Sequence, residues 1–82
     1  MAGPRFGRFG EVALWVLVVL ADGPQPVVRL VDEVRRRNGH VGPGTFFGAI
    51  ARLERASLIE ATTLRADERA YRLHRSPDIG VR

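Results

Sequence analysis

Turned at about 100° per residue from the Gly42-Pro43 step, the following segment puts Gly44, Thr45, Gly48, Ala51, Arg52 and Arg55 on one side. Phe46, Ala49, Ile50 and Leu53 fall on the other. The first side suits an anionic duplex. Its small leading residues let a phosphate or a base edge approach the backbone, and the free amides and positive dipole end of a helix start favour negative charge there. The arginines further along carry planar forks that donate two parallel hydrogen bonds to a phosphate or a guanine edge. Three more arginines lie in what reads as a hairpin, with Arg65 near the tip and Arg69 and Arg72 on the second strand, where alternation sends those two to opposite faces.

Other chemistries leave no comparable trace. There is no phosphate-binding loop, no dinucleotide fingerprint and no paired-carboxylate arrangement. The two histidines, His40 and His74, lack companions at ligand spacing, and there is no cysteine to supply a disulfide or a thiolate. The chain therefore reads as a non-enzyme with no metal and no cofactor. Thr45 also fits an ordinary first-turn role, and Arg35 to Arg37 fit a helix end that completes the dipole better than they fit a binding patch.

Charge supports the same side of the chain. Thirteen basic residues, all arginine, stand against nine acidic ones for a formal +4. Codon bias is a sufficient cause of the arginine usage, so position carries the argument. Acids outnumber bases from Glu11 to Val34, whereas Arg35 to Arg75 holds nine arginines against four acids.

Eighty-two residues make one domain, which at this size buries only about 60–65% of its unfolded surface and gains from a second subunit. Met1 to Gly10, with three glycines and a proline, reads as a flexible N-terminal arm. Glu11 to Ala21 reads as a first helix, apolar all round, and Asp22-Gly23-Pro24 ends it. Its ten-residue apolar run is about half of the roughly 20 residues a membrane span requires, so a cytoplasmic protein is expected. Val12, Trp15, Val16 and Val19 are the candidate dimer interface on that helix, with core packing the other reading of Trp15. After a rigid connector, Gly23 to Pro26, a second helix runs to about Asn38. Val27, Leu30, Val31 and Val34 form its apolar stripe, and Arg29, Asp32, Glu33, Arg36 and Arg37 stand at four-residue spacing on its outer side. Asn38-Gly39 stops it, and the segment from Gly42-Pro43 follows as a third helix. Leu58 to Thr63 and Arg69 to His74 read as two strands joined across Leu64 to Glu68. Residues 76–82 form a tail. The fold class expected over residues 11–75 is therefore α+β, mainly helical: a three-helix winged helix-turn-helix with a two-stranded β-hairpin wing.

Asp22-Gly23-Pro24 after an apolar helix, Val41-Gly42-Pro43-Gly44-Thr45-Phe46-Phe47 leading to Arg52-Leu53-Glu54 and Leu58-Ile59-Glu60, and finally Arg69-Ala70-Tyr71-Arg72-Leu73 resemble the PadR family of bacterial regulators. The likeness covers about residues 11–75. It differs from the family's usual pattern at Pro26-Val27-Val28, at Phe47 in place of a tyrosine and at Ser57 in place of a glycine. The chain also stops at Arg82, where such regulators continue into a dimerisation helix. The resemblance implies a winged helix-turn-helix that acts as a homodimer and represses through a palindromic operator. The expected partners are thus double-stranded DNA and a second copy of the chain, with the third helix in the major groove and the wing on the backbone. The alternative is a winged-helix protein-interaction module that pairs with another regulator.

Overall fold

A computed structural model describes residues 7–74; residues 1–6 of the expected arm, and the tail together with Arg75, lie outside the described residues. The elements run α1 (Gly7–Leu20), β1 (Gln25–Pro26), α2 (Val27–Asn38), α3 (Pro43–Arg55), β2 (Ile59–Leu64) and β3 (Glu68–Leu73). This is the mainly helical α+β architecture expected, consistent with a winged helix.

Two elements differ from expectation. Helix α1 begins at Gly7 rather than Glu11, so residues 7–10 are helix and not arm. Glycine is a poor helix former, but Phe9 packs against the core, and that tertiary contact outweighs the local propensity. The sheet has three antiparallel strands in the order β1-β3-β2, not two. The connector pairs Gln25 with Tyr71 and Pro26 with Ala70 on the outer edge of β3. An edge position tolerates a proline, which has no N–H to donate. Ala70 beside this added strand is buried, whereas Leu73, near the end of the hairpin, is exposed.

The core is one cluster in which each helix contributes a stripe. Val12, Val16, Val19 and Leu20 come from α1, Leu30 and Val34 from α2, and Phe46, Ala49, Ile50 and Leu53 from α3. Val41 and Ile59 close it. The largest of these side chains are completely buried, each contributing about 1.5–3 kcal/mol relative to exposure. The short link between α2 and α3 is fixed by Gly39, whose φ of 89° suits glycine, and by Arg35. The Arg35 guanidinium donates from Nε and Nη2 to the Val41 carbonyl at 3.3 and 3.2 Å. Of the ion pairs expected along α2, Glu33 and Arg37 meet at 2.6 Å.

Helix α3 ends in a Schellman arrangement. The Ser57 N–H donates to the Glu54 carbonyl and the Leu58 N–H to the Leu53 carbonyl, each at 2.9 Å. This geometry puts Ser57 at φ 60°, where glycine is favoured, and the wing turn likewise holds Ala66 at φ 49°. A left-handed non-glycine residue costs about 1–2 kcal/mol, part of which glycine's greater unfolded freedom cancels. Ser57→Gly and Ala66→Gly should each therefore raise stability by about 0.5–1 kcal/mol. Urea unfolding followed by the fluorescence of the lone tryptophan, Trp15, measures this, and a loss of similar size would contradict the assignment.

Candidate nucleic-acid interface

Gly42 is the N-cap of α3 in extended conformation, Pro43 occupies the first turn, and the Phe46 N–H donates back to the Gly42 carbonyl at 3.0 Å. Burial of Phe46, Ala49, Ile50 and Leu53 then sets the helix's rotation. Gly44, Phe47, Ala51, Arg52 and Arg55 are left on its exposed side. Nothing stands within 4 Å of where a Cβ on Gly44 would be, so this end of the helix is open to close approach. Thr45 is half-buried and lines an open cleft of about 300 Å³ together with Glu11, Asn38 and His40. The acid on that wall disfavours an anion beside Thr45, which leaves Gly44 as the open side of the helix start.

Arg65, at the wing tip, and Arg69, on β3, are exposed. Among the described residues no acid pairs with Arg52, Arg55, Arg65 or Arg69, so their donors face solvent. Arg72 behaves differently. Its Nε donates to Glu60 Oε2 at 2.7 Å across the β2–β3 ladder, where the two residues are register partners. His74 Nε2 lies 3.6 Å from the other Glu60 oxygen. Arg72 therefore belongs to a cross-strand ion pair rather than to the free cations expected of it.

Gly48 also departs from expectation. A Cβ there would overlap the Phe9 ring, which lies against it from α1. The glycine makes room for an aromatic side chain, and its face is occupied rather than open. Phe9 in turn carries the Arg52 guanidinium 4.5 Å above its ring centroid. Sequence reasoning missed Phe9 because a glycine-flanked phenylalanine before the expected helix gives no periodic signal. It also left Phe47 without a role, although three residues after Gly44 and four before Ala51 is outward spacing. Phe47 is 49% exposed and meets the buried Phe46 ring edge-on at 4.9 Å.

The expected dimer residues need correction as well. Val12, Val16 and Val19 are 1%, 0% and 6% exposed within the single chain, and Trp15 is partly buried against the same core. Spacing of four and three residues makes them the inner stripe of α1, which a helix apolar on every side does not reveal from sequence. The outer stripe is Leu14 and Val18, at 56% and 43% exposure, beside a shallow apolar depression lined by Gly10, Ala13, Leu14 and Leu17.

Comparison with known proteins adds one relative. No protein-family profile matches the chain. Over 65 residues it is 33% identical to an uncharacterized 37.1 kDa protein in transposon Tn4556 of Streptomyces fradiae. The match takes in 78% of this chain but only 19% of that relative, so the chain spans about a fifth of the relative's length. Among the described residues no helix is long and apolar enough to cross a membrane, and no cluster of His, Cys, Asp or Glu is placed to hold a metal.

Tyr71 lies on the central strand β3, between Gln25 of β1 and Ala61 of β2, and packs against the core. Burial holds its phenol above the ordinary range, the Glu54 carboxylate acts in the same direction, and Arg69 opposes both. The unfolded chain loses this proton first. The stabilisation is therefore complete below about pH 10 and declines as pH rises through the folded value. Because the chain has a single tyrosine, its phenolate absorbance gives a clean titration. The folded midpoint should lie above that of the urea-unfolded chain, and coincident midpoints would contradict the burial.

Proposed function

We propose that this chain is a sequence-specific binder of double-stranded DNA that acts as a transcriptional repressor, of the PadR type its motifs resemble. The observation that carries the reading is the exposed side of α3: Gly44 and Ala51 are small, Arg52 and Arg55 are unpaired, and four buried residues fix the orientation of the whole. In this reading α3 enters the major groove. Gly44 lets the backbone approach, Arg55 and Arg52 donate to phosphate or to guanine, and Phe47 offers an apolar surface to a thymine methyl group. Arg65 and Arg69 place the wing on the neighbouring backbone, while the Arg72–Glu60 pair stiffens its base. The cytoplasm, where the DNA is, is then its place of action.

Phosphate contact makes such binding depend on salt. A dimer that neutralises about 6–10 phosphates loses roughly 10³–10⁵ in affinity between 50 and 200 mM salt. Titration with duplex DNA from upstream of the chain's own reading frame should show this dependence, and Arg55→Ala, which removes one contact from each copy in the dimer, should lower the salt slope by about 2 without altering the fold. Salt-independent binding, or none, would contradict the reading.

A symmetric operator requires two copies of α3, roughly 34–36 Å apart. The surface available for pairing on α1 is its outer stripe, Leu14 and Val18 with Leu17 between them. No charged side chain interrupts α1 from Val12 to its end at Leu20. The same stripe is what favours the second reading, a module that docks on a different regulator. Light scattering distinguishes the two. A homodimer that Leu14→Glu dissociates is expected, whereas a monomeric wild-type chain that binds DNA only with another protein supports the alternative.

A further inference from the structure

We infer that Phe9 is a positioning residue for Arg52, holding its guanidinium ready for the duplex, and that Gly48 is glycine so that the Phe9 ring can lie where it does. The inference rests on the DNA-binding reading above but comes from a contact that reading does not use. Arg52 is exposed, has no acidic partner among the described residues, and sits 4.5 Å from the Phe9 ring centroid. An aromatic face attracts the cation through its quadrupole and engages the guanidinium over the ring. In-plane N–H donors are not consumed by such a contact, as they would be by a carboxylate. The arrangement therefore restricts a long, rotamer-rich side chain while leaving its hydrogen-bonding capacity intact, and a pre-ordered donor loses less entropy on binding.

The geometry of three elements converges on this contact. Phe9 belongs to the first turns of α1 and packs against the core, so its ring is anchored. Gly48 lies one helical turn before Arg52 on α3, and any side chain there would occupy the ring's place. In contrast, Gly44 meets nothing within 4 Å, so the two glycines of α3 serve different ends: Gly44 opens the helix start and Gly48 seats an aromatic ring.

The test is a double-mutant cycle in the full chain, using Phe9→Leu, Arg52→Ala and the pair, with Phe9→Tyr as the conservative variant. Affinity for a mixed-sequence duplex at low salt is read alongside the side-chain NMR shifts of Arg52 in the free protein. Phe9→Leu should weaken binding about 2- to 5-fold in the Arg52 background and not at all in the Arg52→Ala background. Phe9→Tyr should restore it. In the free protein the Arg52 δ-protons should be shifted upfield by the ring current, and Phe9→Leu should abolish that shift while urea unfolding confirms that the variant is folded. Additive losses in the cycle overturn the positioning role even where the wild type binds DNA. An unshifted Arg52 overturns the contact itself, independently of DNA. Failure of the wild type to bind any duplex, with the upfield shift present, overturns the DNA reading and with it the purpose assigned to the contact.

Discussion

The rotation of α3 about its own axis is the constraint on which the rest depends. A helix with four core residues on one side has little freedom to turn, because a rotation of one position would expose Phe46 or Ile50 and bury an arginine. The main partner surface is the inner stripe of α1, in particular Val12 and Val16, with Leu30 and Val34 of α2 in the same core cluster, all essentially inaccessible to solvent. The domain has no cysteine, so this interlock of small branched side chains must hold the outward face in place. Arg35 adds a local tie by bonding the Val41 carbonyl, which keeps the α2–α3 turn at a fixed length and angle.

A second feature is the division of labour among the arginines. Arg35 ties the α2–α3 link, Arg37 serves α2 by pairing with Glu33, and Arg72 serves the wing by pairing with Glu60. Arg52 lies over an aromatic ring, while Arg55, Arg65 and Arg69 are exposed without acidic partners among the described residues. Net charge alone would count all of these equally. Their local partners separate cations that hold the fold from cations still able to meet an anion; the second group has Arg52 and Arg55 on α3 and Arg65 and Arg69 on the wing, together with the exposed Arg29 and Arg36 of α2, which lie near Glu33 without an ion pair among the described residues.

Much of this was legible in the sequence where periodicity was strong. The α3 stripe of Phe46, Ala49, Ile50 and Leu53, the extent of α2, the stop at Asn38-Gly39 and the order of helices before hairpin all follow from spacing and turn chemistry. Three things did not. A two-residue strand containing Pro26 has no pattern of its own and exists only because β3 has a free edge. The inner and outer sides of α1 could not be told apart, since valine and leucine fill both, and Val12, Val16 and Val19 proved to be core rather than interface. Finally, the occupant of Gly48 comes from a residue 39 positions earlier, a tertiary contact that local reading does not reach. Ser57 and Ala66 are a further case. Their positive φ values are legible only in the structure, because their side chains argue against that conformation.

The central claim is that the exposed side of α3 meets a duplex. Mapping backbone amide shifts while titrating the labelled chain with duplex DNA tests it most directly. Perturbations concentrated at Gly44, Phe47, Ala51, Arg52 and Arg55, with a second group at Arg65 to Arg69 and little change along the outer side of α2, are the expected result. Perturbations confined to the Leu14–Val18 side of α1, or a spectrum unmoved by saturating DNA at low salt, would contradict it.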